Sequence, residues 1–153
     1  MKQVIFSSIF SVFTFIAFGQ DLALRKKHFN LNDGAALSGY DAVAYINQSK
    51  AIKGSKGHVF MYEGVNYYFV SVANREEFKK NPSKYEPAYG GWCAYAMGSN
   101  GDKVSIDPKT FKIINGKLNL FYNKFFNNTL EDWNKDEENL KKKADINWQK
   151  TVR

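Results

Sequence analysis

Cysteine, histidine and proline are scarce in this chain, with one, two and three copies among 153 residues. A single thiol excludes an intramolecular disulfide framework and every zinc or iron–sulfur site that draws several thiolates from one chain. His28 and His58 stand far apart, so no His-x-x-x-His pair presents two imidazoles on one helix face. Low proline together with only eleven glycines excludes collagen-like and low-complexity chains. Phosphate-cradling loops are missing as well: Gly54-Ser55-Lys56-Gly57 has neither the length nor the Lys-Ser/Thr ending of that motif. Beyond the first twenty residues no apolar run approaches the ~20 residues that span a bilayer, and there is no internal repeat.

What is present is a core. Hydrophobic residues make up 44% of the chain and aromatics 16%, enough for one compact domain rather than a disordered chain. Twenty-two basic side chains against fifteen acids leave a formal charge of +7, which permits contact with anionic surfaces without naming a partner. The run Lys141-Lys142-Lys143 lies among Glu131, Asp132, Asp136, Glu137, Glu138 and Asp145. Such interleaving describes a solvated helix face, and nucleic acid is not an expected partner.

Lys2 followed by the apolar run Val4 to Phe18, closing on Ala17-Phe18-Gly19, has the layout of a signal peptide over 1–19. A membrane anchor is the alternative, but roughly fifteen apolar-rich residues fall short of a comfortable span. The reading is therefore an exported chain, periplasmic or secreted, that does not span the membrane after cleavage. Its mature part would begin at Gln20 with a charge of about +6, since Lys2 is the one charged residue removed. In an oxidising compartment a lone thiol persists through burial, ligation or redox work.

Along the mature chain, 20–36 reads as a lead-in ending in the turn Asn32-Asp33-Gly34, and 37–149 as the domain. Leu37 to Tyr45 reads as a loop entering a short buried segment, and Gly54 to Gly57 as a flexible break. His58 to Tyr62 and Val65 to Val70, separated by Glu63-Gly64, predict a β-hairpin. Ser71 caps a helix with Val72 and Phe78 as its core contacts, stopped by Asn81-Pro82. A loop follows from Ser83 to Tyr89, then a short helix over Trp92 to Met97 closed by Gly98. Lys103 to Ile106 reads as a strand and Asp107-Pro108 as a turn. Asn115-Gly116 between Phe111–Ile114 and Lys117–Tyr122 is a second hairpin signal. Trp133, Leu140, Ala144 and Trp148 form the apolar stripe of a helix over Leu130 to Gln149. The fold class is thus α+β, with β-hairpins, short helices and a carboxy-terminal amphipathic helix.

The segment Gly90-Gly91-Trp92-Cys93-Ala94-Tyr95-Ala96-Met97-Gly98 concentrates the chemistry. Cys93 and Met97, four residues apart, would share a helix face, and a helix start favours a thiolate. Thiolate plus thioether is a soft donor pair suited to Cu(I), with His58 as a further candidate ligand. Cys93 paired with a histidine would also meet the minimal pattern of a thiol hydrolase, although neither His carries a local signature. The plain alternative is that Cys93, Ala96 and Met97 are core residues.

Gly39-Tyr40-Asp41-Ala42-Val43-Ala44-Tyr45, Tyr62-Glu63-Gly64, Tyr67-Tyr68-Phe69-Val70-Ser71, Asn74, Phe78, Asn81-Pro82 and Lys84-Tyr85 resemble the YHS domain, a small family related to the TRASH metal-handling modules. Pro87 to Tyr95, Ile106-Asp107-Pro108, Gly116-Lys117-Leu118, Tyr122-Asn123, Trp133, Asp136 and Ala144-Asp145 are similar to an exported bacterial branch, and the likeness runs from about Leu37 to Trp148. Metal-holding members place cysteines where this chain has Ala44, Val70 and Asn74, so of their ligand set His58 alone survives. The exported branch is similar to YHS-domain selenoproteins, and Cys93 is the residue here that could stand for selenocysteine. Selenium replaces sulfur usefully where an ionised chalcogen does redox work or binds a soft metal. The resemblance therefore implies either a copper-type binding module using Cys93, Met97 and His58, or a thiol-based redox or peroxide-handling protein with Cys93 as its catalytic residue and an external thiol as partner.

Overall fold

The computed structural model describes residues 15–153. The expected signal segment 1–19 lies outside the described residues except for 15–19, which open α1 (Phe15–His28). No helix among the described residues is long and apolar enough to cross a membrane.

The architecture is mixed α+β. Asp33 and Gly34 both take positive φ and turn β1 (Leu31–Asn32) into β2 (Ala35–Ala36), as that tripeptide predicts. Asp41 then caps α2 (Ala42–Gln48), a helix where the sequence had suggested a loop. Its two Ala and lack of Pro or Gly suit a helix, and an Asp cap supplies the start. β3 (Ser55–Tyr62) and β4 (Val65–Phe69) form the expected hairpin, and the sheet order is β1-β2-β4-β3. Gly54 is no flexible break: a Cβ there would lie 2.5 Å from the Tyr68 carbonyl, so this glycine allows close backbone approach.

α3 (Val72–Lys80) is capped by Ser71, whose Oγ accepts from the Asn74 N–H at 3.1 Å. Phe78 from this helix is buried among Tyr67, Phe69 and Tyr85. Val72, expected in the core, is 51% exposed, because a residue at the first helical position projects off the helix end. Pro82 starts the single turn α4 (Pro82–Tyr85), the position that tolerates its missing N–H. α5 (Ala94–Ser99) begins after Cys93. Gly98 lies inside α5 rather than closing it, with Leu140 O only 2.4 Å from where a Cβ would stand.

Residues 101–106 form no strand. Val104 O nonetheless accepts the Cys93 N–H at 3.0 Å, so the segment spends its hydrogen bonding on the start of α5. β5 (Asp107–Ile114) and β6 (Lys117–Phe121) pair around Asn115-Gly116, both at positive φ. β7 (Asn123–Lys124) and β8 (Asn127–Asn128) make a further hairpin whose two turn residues, Phe125 and Phe126, are exposed at φ 52° and 65°. The carboxy-terminal helix is two, α6 (Thr129–Lys135) and α7 (Glu137–Thr151), broken where Asp136 takes φ −148°. Its stripe is as expected, with Trp133, Leu140 and Ala144 buried.

Two apolar clusters result. The first gathers Tyr45, Tyr67, Phe69, Phe78, Tyr85, Leu118 and Leu120, and the second Met97, Phe121, Trp133, Leu140 and Ala144. β6 separates them: Leu118 and Leu120 face one way and Phe121 the other, consistent with alternation along a strand.

Candidate functional site

Cys93 sits at the seam. It belongs to the first cluster, whereas Ala94 and Met97, next on the same chain segment, belong to the second. The thiol is fully buried and lines the floor of an open cleft of about 310 Å³ with Tyr95, Ala96, Val104, Tyr122 and Thr129. Cys93 is the residue preceding α5, and its side chain makes no capping bond.

Two groups face the sulfur. The Tyr122 N–H donates to Sγ at 3.4 Å, and Thr129 Oγ1 lies 3.4 Å from Sγ. Thr129 also places its hydroxyl on Tyr122 O at 2.9 Å, and its own backbone N–H reaches the same carbonyl at 3.0 Å. In the thiol form S–H donates to Oγ1. Once that proton leaves, the Thr129 hydroxyl can turn to Sγ without orphaning Tyr122 O, which keeps the backbone donor. A sulfur anion here would thus be met by two donors, the Tyr122 N–H and the Thr129 hydroxyl.

The other expected ligands are elsewhere. Met97 is buried in the second cluster and does not line the cleft; only its N–H returns to Cys93, donating to the carbonyl at 3.0 Å. The helix begins one residue after Cys93, so the cysteine is half out of the helical path and the two sulfurs do not share one apolar face. His58 lies on β3, half-buried, with Nδ1 finding no hydrogen-bond partner among the described residues. It lines neither the cleft nor the cluster that holds Met97. Among the described residues no group of three His, Cys, Asp or Glu side chains converges as a cation would need. The cleft over Cys93 supplies one soft donor where Cu(I) takes two or three, so the donor set does not fit copper as arranged.

His28 has a separate role. Its carbonyl accepts from Trp92 Nε1 at 2.6 Å, and its Nδ1 meets Lys103 Nζ at 2.9 Å. Burial, then the charges of Lys103 and Lys27, lower its pKa from the ordinary 6.5, which keeps the imidazole neutral as acceptor of the lysine proton.

Sequence reasoning missed the most heavily bonded polar group, Asp41. Its carboxylate is fully buried. Oδ1 accepts from the Val43 and Ala44 N–H groups at 2.8 and 3.1 Å, and Oδ2 from the Val70 N–H and Asn74 Nδ2, both at 2.8 Å. The backbone N–H groups of Ala44 and Val70 and the Asn74 side chain thus close on one carboxylate, so the space between them is filled by hydrogen bonds. The available signal was an Asp placed directly before a Pro-free apolar run, an N-cap pattern.

A larger cleft, about 470 Å³, lies between α1, β6 and α7 and shares no lining residue with the one over Cys93. No family model, curated protein or solved structure matches this chain.

Proposed function

We propose that this chain is an exported YHS-type domain whose Cys93 is a redox thiol, reducing peroxides at the expense of an external low-molecular-weight thiol. The observation that carries the reading is the pair of groups turned to Sγ, the Tyr122 N–H and the Thr129 hydroxyl, beneath an open cleft. Ala44, which follows the Asp41 cap, and Val70 and Asn74, from a segment some thirty residues later, meet on the Asp41 carboxylate; that the resemblance groups these three positions supports the family assignment.

The chemistry is a two-step exchange. Thiolate Sγ attacks one peroxide oxygen; the S–O bond forms, the O–O bond breaks, and the departing alkoxide or hydroxide takes a proton from solvent. An external thiol then attacks the sulfenic sulfur, forming S–S and releasing water. A second external thiol exchanges onto that mixed disulfide and frees Cys93 as thiol, with the small-molecule disulfide as product. No resolving cysteine exists in the chain, which is why the reductant must come from outside. Because Sγ is sealed in the resting fold, reaction follows local opening of the cleft wall, and the thiol reacts more slowly than an exposed one.

Trapping sulfenic acid with dimedone after peroxide treatment of the folded protein tests this. Adduct on the parent and none on Cys93→Ala is the expected result; a thiol that neither oxidises nor alkylates until the chain unfolds overturns it. A parallel Cu(I) titration against a competing chelator decides the soft-metal reading: a 1:1 complex abolished by Cys93→Ala and Met97→Leu would reinstate it.

A further inference from the structure

The cleft between α1, β6 and α7 carries a polar group with no partner. Asn119 lines it, only 2% exposed. Its Nδ2 donates to the Lys117 carbonyl at 3.0 Å, which fixes the amide orientation, and Oδ1 is buried and finds no hydrogen-bond donor among the described residues. An unmet acceptor of this kind destabilises the fold unless something supplies the proton. Asn119 is on the face of β6 shared with Lys117 and Phe121, as strand alternation requires.

The charges around the cleft are already matched, with one exception. Glu86 is held by Arg25 and by the Tyr67 hydroxyl at 2.6 Å. Asp145 is held by Lys141 at 2.7 Å and the Tyr89 hydroxyl at 2.9 Å. Lys117 is the lining cation that, among the described residues, pairs with no carboxylate; Nζ reaches only the Ser83 carbonyl at 2.6 Å. Burial lowers its pKa from the ordinary 10.5, against a smaller opposing effect of Glu86, as expected for an ammonium short of a counter-charge.

The walls are aromatic and fixed. Phe29 and Trp148 meet edge to face with centroids 6.5 Å apart, and the Arg25 guanidinium covers Phe29 at 4.4 Å. Gly90 opposes Trp148 at φ +59°, and a Cβ there would stand 2.8 Å from the indole. The backbone is therefore pared to glycine where the aromatic wall closes in. The volume of about 470 Å³ falls within the range of small-molecule sites.

We infer that this cleft binds a small aromatic carboxylate bearing an N–H or O–H donor, the carboxylate on Lys117, the donor on Asn119 Oδ1 and the ring against the wall that Phe29 and Trp148 form. The two residues stand two apart on one strand face, their Cα atoms roughly 7 Å apart along it, close enough for one bicyclic or para-substituted ring to reach both. This site is independent of Cys93.

Indole-3-acetate is the probe, with 1-methylindole-3-acetate lacking the donor and indole-3-ethanol lacking the charge; binding to the full chain is followed by calorimetry and ligand-observed NMR. Indole-3-acetate is expected to bind with a Kd of about 1 mM or tighter. The N-methyl acid should bind at least about tenfold more weakly, as a site that accepts a hydrogen bond rejects the analogue without one. Asn119→Leu should erase the difference between the two acids. Lys117→Met, on the rim and independent of folding at Asn119, should weaken both acids equally and leave the alcohol unchanged. Equal binding of the two acids to the parent, or binding by none of the three, overturns the proposal.

Discussion

Replacing Asp41 tests whether one carboxylate joins three elements. Its four acceptor bonds start α2 through Val43 and Ala44, tie β4's exit through Val70 and hold α3 through Asn74. Asp41→Ala removes a cap, for which about 1 kcal/mol is usual. It also orphans the Val70 N–H and Asn74 Nδ2, each at about 1–3 kcal/mol. Relief from burying an unpaired carboxylate offsets part of this, since a buried charge carries a desolvation cost of several kcal/mol. The net loss is about 3–4 kcal/mol, enough to lower Tm by roughly 10 °C in a domain of this size. Asp41→Asn keeps the shape and the cap acceptor but turns an NH2 toward two donors, and should lose about 2–3 kcal/mol. Urea unfolding followed by tryptophan fluorescence reads both, with unchanged m-values expected. If Asp41→Ala unfolds within about 1 kcal/mol of the parent, the carboxylate is not holding these elements and the argument fails.

Thr129→Val deletes the hydroxyl that can turn to Sγ; peroxide oxidation of Cys93 should slow by about tenfold, and an unchanged rate would remove Thr129 from the mechanism. Gly98→Ala forces a methyl group against Leu140 O and should destabilise the chain by about 3 kcal/mol, read in the same urea assay. Phe125→Asn with Phe126→Gly should instead stabilise the β7–β8 turn by about 1–2 kcal/mol, because both positions take positive φ and the rings are exposed; a loss would show that the phenyl groups are packed in solution. Glu137 accepts from Lys112 and, at 2.9 Å, from Trp133 Nε1, and the bond from Lys112 lowers its pKa below 4.5. Its folded-state pKa is depressed, so its contribution is full above the unfolded value and disappears as pH falls through the folded one. Glu137→Gln should flatten the stability decline below pH 4.5, measured by urea midpoints across that range.

The β3–β4 and β5–β6 hairpins were legible because each rests on local chemistry, Glu63-Gly64 and Asn115-Gly116 supplying the positive φ that a tight turn needs; the β7–β8 hairpin was not, since Phe125-Phe126 is no turn signal. The Trp133, Leu140 and Ala144 stripe was legible by period, but the break at Asp136 was not, since nothing local forbids a helix there and packing against α5 decides it. The Asp41 cluster joins residues 29 and 33 positions apart, a tertiary fact that no window of sequence contains. Cys93 could be singled out as the lone thiol and the residue before a helix. Its separation from Met97 could not, because it turns on where that helix begins by one residue. Gly98 looked like a helix terminator for the same reason: a glycine required by a neighbouring backbone is indistinguishable in sequence from one required by its own φ.

The contact between Gly98 and Leu140 has a consequence for the order in which the chain becomes a protein. α5 and α7 meet across the whole of residues 100–136, and the second cluster draws Met97 from the former and Leu140 and Ala144 from the latter. Until the first turns of α7 have formed, Met97 and Trp133 pack against Phe121 but lack Leu140 and Ala144. The first cluster takes nothing from α6 or α7 and can form ahead of it. α7 therefore completes the second half of the core, while the first half is assembled without it.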